Sequence, residues 1–332
     1  MAQPPEAAPA RRGSRPDDMP PLVRAAYWLQ YAGPRLAVSL LLGMGDPMLR
    51  GLSKLSGRIA FRVDARHRPR AIEHLVAAGY EPRRARQITR HMFEHFASSI
   101  IEGMVLRRRV AKENWPKYVR LEGREILDEA LKSGRGAIFV GAHQGSWELA
   151  GIVMNLLGYP LTSIARPFRN PFVDEFLNSA RGATGGKIVK QGGGLRELMR
   201  DVRAGRIGVI LSDQNAGRDG VFVPFFGRLA STWPTPAVIA LKTGCRLLPF
   251  YTYREAPFRY VFGCHSDPEP ARTGNLDADV KSISAWYTAI FERSIRERPE
   301  QWLWAHRRWR STPDGTRRTW EAPRAGPEAV RK

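Results

Sequence analysis

The residues that could do chemistry gather in Ala137-Ile-Phe-Val-Gly-Ala-His143-Gln-Gly-Ser-Trp-Glu148-Leu-Ala-Gly151. A short apolar run ends in a glycine turn and presents an imidazole, with a carboxylate five positions later. On one regular helix the two side chains would point roughly 140° apart, because each residue advances about 100°. His143 must therefore precede the helix. Gly145 supplies a permissive turn and Ser146 an N-cap, which leaves Glu148 in the first helical turn at the positive end of the dipole. From there a carboxylate can reach back, fix the tautomer of His143 and favour its protonated form. Such a pair suits a general base that takes a proton from an acceptor hydroxyl.

The elements that must position this pair follow from the pattern beyond Val119. Strands are expected over 119–122, 137–141, 161–165, 187–189, 207–212, 246–253 and 259–264. Helices are expected over 124–133, 146–157, 171–181, 194–204, 234–243 and 279–298. Strands alternating with helices of this length make an α/β fold, a mostly parallel central sheet flanked by helices on both faces. In such sheets ligands bind beyond the carboxyl ends of the strands. His143, Arg166 and Asp213 each follow a strand, so all three are expected on one rim.

Other stretches add candidates. Arg166-Pro-Phe-Arg169-Asn170-Pro171 places two guanidinium groups on a stiff loop, suited to a phosphate or a developing oxyanion. Gln191-Gly-Gly-Gly194 opens a helix and reads as a simple loop, with an anion cradle as the alternative. Ser212-Asp213-Gln214-Asn215 leads into the apolar Val221–Gly227 stretch, read as a loop that is either buried or lines an acyl-chain groove through Phe225 and Phe226. There Asp213 reads as a residue that orients an arginine. Pro299-Glu-Gln-Trp302-Leu-Trp304-Ala-His306-Arg307-Arg308-Trp309 interleaves rings with arginines, which suits an anionic interface; a core-packing turn is the alternative.

Composition bounds the partners. The 332 residues hold 53 Lys+Arg against 32 Asp+Glu, a formal charge of +21, which calls for anionic partners: a membrane surface, acidic or phosphorylated substrates, or nucleic acid. No nucleic-acid motif accompanies it. Two cysteines, Cys245 and Cys264, stand in no metal-like spacing. His91-Met-Phe-Glu94-His95 matches a metallopeptidase pattern, but without a third ligand it reads as part of an amphipathic helix, and no metal is expected.

The organisation expected is a disordered tail over 1–21, an N-terminal helical membrane-associated region over 22–110, the α/β core over 111–312, and a disordered tail over 313–332. Within 22–49, Pro34 and Arg35 interrupt the apolar run, leaving neither half long enough to span a bilayer. The stretch reads as a membrane-surface helix with Trp28 and Tyr31 at headgroup level.

Taken in order, His143-x4-Glu148, Arg166-Pro with Asn170-Pro171, Asp213-Gln214 followed by Val-Pro-Phe-Phe-Gly227, and Pro-Glu-Gln-Trp-Leu-Trp-Ala-His306-Arg-Arg resemble the bacterial lipid A biosynthesis acyltransferases of the lysophospholipid acyltransferase superfamily. The resemblance implies transfer of a fatty acyl group from acyl-carrier protein, or acyl-CoA, to a hydroxyl of a phosphorylated glycolipid at the cytoplasmic face of the bacterial inner membrane. It implies His143 and Glu148 as the catalytic pair, and Arg166, Arg169, Asp213, Gln214 and Arg307 as substrate-binding residues. No cofactor is implied. No Ser or Cys nucleophile stands beside a base, so direct transfer without an acyl-enzyme is expected. A lysophospholipid, ornithine lipid or inositol mannoside acceptor, and a non-enzymatic basic membrane- or nucleic-acid-binding protein, are the competing expectations.

Overall fold

The computed structural model describes residues 19–165, 167–182, 184–190 and 194–315. The expected tails therefore lie almost wholly outside the described residues, as do Arg166 and Gln191 to Gly193. The central sheet contains β1 (Val119–Glu122), β2 (Ala137–Gly141), β3 (Leu161–Ala165), β4 (Lys187–Lys190), β5 (Ile207–Leu211), β8 (Arg246–Ala256) and β9 (Arg259–Cys264). Their spatial order is β1-β9-β8-β2-β5-β3-β4. Every neighbouring pair is parallel except the β8–β9 hairpin. β2 lies near the middle with all five residues buried, as a strand covered on both faces must be.

Alternation along the strands divides the core. Phe139, Leu161, Ile207, Leu248 and Phe262 pack on one face with α5 (Arg124–Lys132) and α6 (Trp147–Leu156). Ile138, Val140 and Leu247 pack on the other with α8 (Gly194–Arg203), α9 (Thr235–Thr243) and α10 (Leu276–Glu297). α7 (Pro171–Gly182) links β3 to β4. The apolar stretch at Val221–Gly227 is not a loop. It forms an antiparallel hairpin, β6 (Val221–Phe225) with β7 (Arg228–Thr232), turned by Phe226 and Gly227 at φ 51° and 70°.

In front of the sheet lie α1 (Pro21–Leu42), α2 (Asp46–Val63), α3 (His67–Ala77) and α4 (Pro82–Arg109). Pro34 does not break α1, which continues through it for 22 residues. Among the described residues no helix is long and apolar enough to cross a membrane. One side of α1 docks on the core: Tyr31 meets the rings of Phe172 and Phe176 on α7, and the Asn170 side chain donates to the Tyr27 carbonyl. Tyr31 is thus half-buried against α7, whereas Trp28 is exposed. Leu22, Leu29, Leu36 and Leu40, all exposed, fall within an arc of about 40° on the helix.

Candidate active site

β2 and β5 are parallel neighbours with Gly141 opposite Leu211. Past that rung the pairing continues, since Ser212 N–H donates to the Gly141 carbonyl at 2.9 Å. His143 and Asp213 each stand two residues beyond the rung, so the register itself delivers them to one spot. Asp213 is 2 % exposed and accepts three hydrogen bonds. These come from His143 Nδ1 at 2.7 Å, His143 backbone N–H at 2.9 Å and Trp302 Nε1 at 2.7 Å. Burial pushes this carboxyl pKa up, but the imidazole charge and the three donors outweigh burial and hold it well below the usual carboxylate range. For His143, burial acts against protonation. The Asp213 carboxylate more than reverses that, Glu148 adds to it, and the imidazole pKa is raised.

The expected division of labour between the carboxylates is corrected here. Asp213, not Glu148, accepts the hydrogen bond from Nδ1–H and fixes the tautomer, and it orients His143 rather than an arginine or the substrate. Ser146 does precede α6, but its side chain makes no capping bond. Glu148 sits in the first turn of α6, 35 % exposed, 3.9 Å from Arg107 at the end of α4. With Nδ1 engaged, Nε2 of His143 has no hydrogen-bond partner among the described residues. The imidazole is 23 % exposed and edge-on to Trp147 at 4.9 Å.

His143 stands at the wall of a cavity of about 1230 Å³. Its polar end holds His143, Glu148, Gln214, Asn215 and His306; its apolar part includes Phe139, Met154, Leu161, Val209, Phe250 and Phe262. The gradient follows from the strand direction. Residues beyond the carboxyl ends carry functional groups, whereas Phe139, about 7 Å back from the end of β2, belongs to the core. α6 forms a lid over this part with Ala150, Gly151 and Met154. At Gly151 an added Cβ would meet nothing closer than Leu161 at 4.0 Å, so glycine here leaves free space inside the cavity.

The Pro299–Trp309 segment braces the rim from beneath. Trp302, Trp304 and Trp309 are buried, so the aromatic-arginine pattern makes a packed turn and not an anionic interface. Gln144 bridges to Trp302, and Gly145 N–H donates to the Gln301 carbonyl. His306 Nε2 accepts from Asn215 N–H at 3.1 Å; burial lowers its pKa to about 4, so it is neutral at pH 7. Arg308, with no exposed surface, donates to the carbonyls of Gln214 and Ser231 and to Thr232 Oγ1. From this segment Trp302 and His306 reach the site directly, and Arg308 holds the backbone behind it. Arg307 is half-buried and lies outside the cavity walls.

The other expected residues sort plainly. Gln214 lines the cavity beside His143. Arg169 is exposed on the β3–α7 loop, away from the walls, and Arg166 lies outside the described residues. Phe225 and Phe226 do not form a groove. They are 1 % and 3 % exposed and pack on Trp302, Trp309 and Trp304. Of the two histidines in the metallopeptidase-like pattern, His95 is buried beside Ser99 and His91 meets Arg90. Among the described residues no three potential metal ligands cluster.

A base at the rim of a parallel sheet, set at the wall of a mostly apolar cavity, is the arrangement of an enzyme that acts on a substrate with an apolar part. A family model described as bacterial lipid A biosynthesis acyltransferase matches residues 19–311, and the chain belongs to that family. It is an acyltransferase acting on lipid A or a related lipid. It is similar to the lipid A biosynthesis acyltransferase of Haemophilus influenzae, 26% identical over 294 residues, covering 86% of this chain and 90% of that protein. To the lipid A biosynthesis palmitoleoyltransferase of Escherichia coli it is 30% identical over 209 residues, 60% of this chain and 66% of that one. To the phosphatidylinositol mannoside acyltransferase of Mycobacterium tuberculosis it is 26% identical over 200 residues, 59% and 61% respectively.

Proposed function

We propose that the chain transfers a fatty acyl group from a carrier-protein thioester directly to a hydroxyl of a phosphorylated lipid A precursor, on a membrane surface, with His143 as general base. The observation that carries this is the hydrogen bond from His143 Nδ1 to the buried Asp213, which leaves Nε2 as the nitrogen available at the cavity. The acceptor O–H breaks as its proton passes to Nε2, and the oxygen forms a bond to the thioester carbonyl carbon. Collapse of the tetrahedral intermediate breaks the C–S bond, and the imidazolium returns the proton to the departing thiolate. Ester and free thiol result, and the base is regenerated.

Asp213 acts as a positioning residue. It holds the tautomer and stabilises the imidazolium between the two steps. The apolar part of the cavity takes the acyl chain, and Gln214 offers an amide donor beside the reacting carbonyl. Glu148, on the open side of His143 with Arg107, is suited to hold the acceptor hydroxyl region. The membrane reading draws support from the exposed leucine stripe of α1 and the charge of +21. A phosphatidylinositol mannoside acceptor is the second reading, favoured by the relative that carries that name.

The deciding experiment incubates purified protein with labelled acyl-carrier protein and either a tetra-acylated lipid A precursor or a phosphatidylinositol mannoside. Transfer to the first alone, lost in His143→Ala, is the expected result. A trapped acyl-enzyme, or unchanged transfer by the variant, would refute the mechanism; transfer to the second alone would replace the acceptor.

A further inference from the structure

Far from His143 the helical region holds a second cavity, about 700 Å³, walled by Arg58, Arg62, Arg68, Arg83, Arg86 and Arg90 with Phe61 at its base. Six guanidinium groups around one space set up a local positive potential that favours an anionic occupant. Their internal partners are few. Arg58 meets Glu94 at 3.3 Å, and Arg68 donates to the carbonyls of Phe61 and Arg62. Arg62, Arg83, Arg86 and Arg90 form no ion pair with a carboxylate among the described residues. Arg86 lies over the Phe61 ring at 5.6 Å, which holds one guanidinium in place while its N–H edges stay free.

The surface beside this cavity identifies the occupant. On α2, Met48, Leu55, Ile59 and Arg62 lie within an arc of about 60°. All four are exposed, Leu55 at 56% and Ile59 at 49%. The opposite face of α2, with Leu49 and Phe61, packs on α4, where Gly57 allows contact so close that a Cβ would lie 2.5 Å from Glu94 Cα. The apolar face is thus the one α4 leaves uncovered, and the arginines border it. An acidic protein would match the charge but not the apolar ridge. The carrier protein must also deliver its thioester to His143, and Arg86 is about 30 Å along α4 from Arg107 beside that site.

We infer that this cavity is a binding site for the phosphate-bearing head group of an anionic phospholipid in a bilayer, with Leu55 and Ile59 entering the acyl boundary. Planar guanidinium groups bind phosphate oxygens in pairs, and arginines near an anionic leaflet add attraction that salt screens. The inference rests on the membrane-surface reading above and adds the headgroup selected and the place where it binds.

The test is co-sedimentation of the full chain with vesicles of phosphatidylcholine alone or with a third of the lipid as phosphatidylglycerol. Wild type should prefer the anionic vesicles, with high salt abolishing the preference. The exposed arginines allow an R58Q/R62Q/R83Q/R90Q variant that keeps its fold, checked by thermal melting, and it should lose roughly fivefold in affinity per arginine removed. A K112S/K117S/K242S/K281S variant, with the same change in net charge on other surfaces, should keep most of the preference. Equal binding of wild type to both vesicles would overturn the site while leaving the membrane reading intact; no binding to either would overturn that reading as well. Equal loss in the two variants would reduce the effect to net charge and overturn the site. Displacement by inorganic phosphate at matched ionic strength would overturn the bilayer assignment. So would an arginine-dependent complex with the acidic carrier protein alongside an undiminished vesicle preference.

Discussion

The rim at His143 and the helices in front of it treat charge in opposite ways. At the rim the buried charges meet fixed partners: Asp213 three donors, and the two terminal nitrogens of Arg308 two carbonyls and a hydroxyl. On α2 to α4, arginines stand side by side in water, several without a carboxylate. Buried, a pair fixes geometry, because leaving either member alone in a medium of low dielectric is expensive. Exposed like charges cost little by themselves, and they fix a preference for a partner rather than a shape. The difference predicts where substitution changes the reaction and where it changes only binding.

The largest effect belongs to the base. His143→Ala should lower kcat by about 10²–10⁴-fold in single-turnover acyl transfer. Asp213→Asn comes next. It removes the charge but keeps the shape, so kcat should fall about 10²-fold or more. Its pH profile should move too. In wild type the active, neutral imidazole appears as pH rises through a pKa raised above 6.5, and without the Asp213 charge that limb should shift to lower pH. Glu148→Gln leaves the Nδ1 bond intact and should spare the position of this limb more than Asp213→Asn does. If Glu148→Gln shifts it more, Asp213 is not the carboxylate that sets the base.

Why the sequence pointed to Glu148 is instructive. Glu148 is five residues from His143, and local spacing is visible in a chain. Asp213 is 70 residues away and meets His143 only because β5 inserts between β2 and β3 in the sheet. The strands themselves were legible, most plainly β2, which is buried on both faces and apolar throughout; β1, β2, β3 and β9 have the expected bounds. Strand order was not, so a shared two-residue offset past Gly141 and Leu211 carried no meaning until the two strands were seen as neighbours. The β6–β7 hairpin was hidden for a different reason. Its two-residue turn needs positive φ twice, which asparagine-glycine would advertise, but here Phe226 takes the first place. Its N–H bond to Glu292 and its contact with Trp304 hold it there.

Histidines buried in their neutral form also make the core sensitive to acid. Burial lowers the pKa of His74, His265 and His306 to about 4 and of His95 to about 3. A folded-state pKa below the unfolded value of about 6.5 means the unfolded chain binds more protons. The stability these four contribute is complete above pH 6.5 and is lost as pH falls toward 4. His143 runs the other way. Its raised pKa contributes stability below pH 6.5 that fades as pH rises through the raised value, which flattens the loss only slightly. Urea midpoints measured between pH 7.5 and 4.5 should fall steeply below 6.5, and His306→Gln, whose amide does not titrate, should make the fall shallower. An unchanged midpoint across that range would mean these histidines are not held neutral.

Inside the cavity, Gly151 separates chain length from catalysis. Alanine removes a helix-interior glycine and should stabilise the fold by about 0.5–1 kcal/mol, with transfer nearly unchanged. Phenylalanine fills the space under α6, so long-chain donors should lose rate while short-chain donors keep it. Equal loss for all lengths would place the acyl chain elsewhere.

The smallest effects are expected on the exposed helices. Arg62→Gln should leave the melting midpoint almost unchanged, since surface substitutions fall within about 0.5 kcal/mol and relief of like-charge repulsion offsets any lost contact. Transfer measured in detergent micelles should also be unchanged, because the arginine cavity is about 30 Å along α4 from the reacting groups. A clear loss of turnover in micelles would mean that the helical region reaches the reaction after all, and that its charge is organised for the acceptor instead of the bilayer.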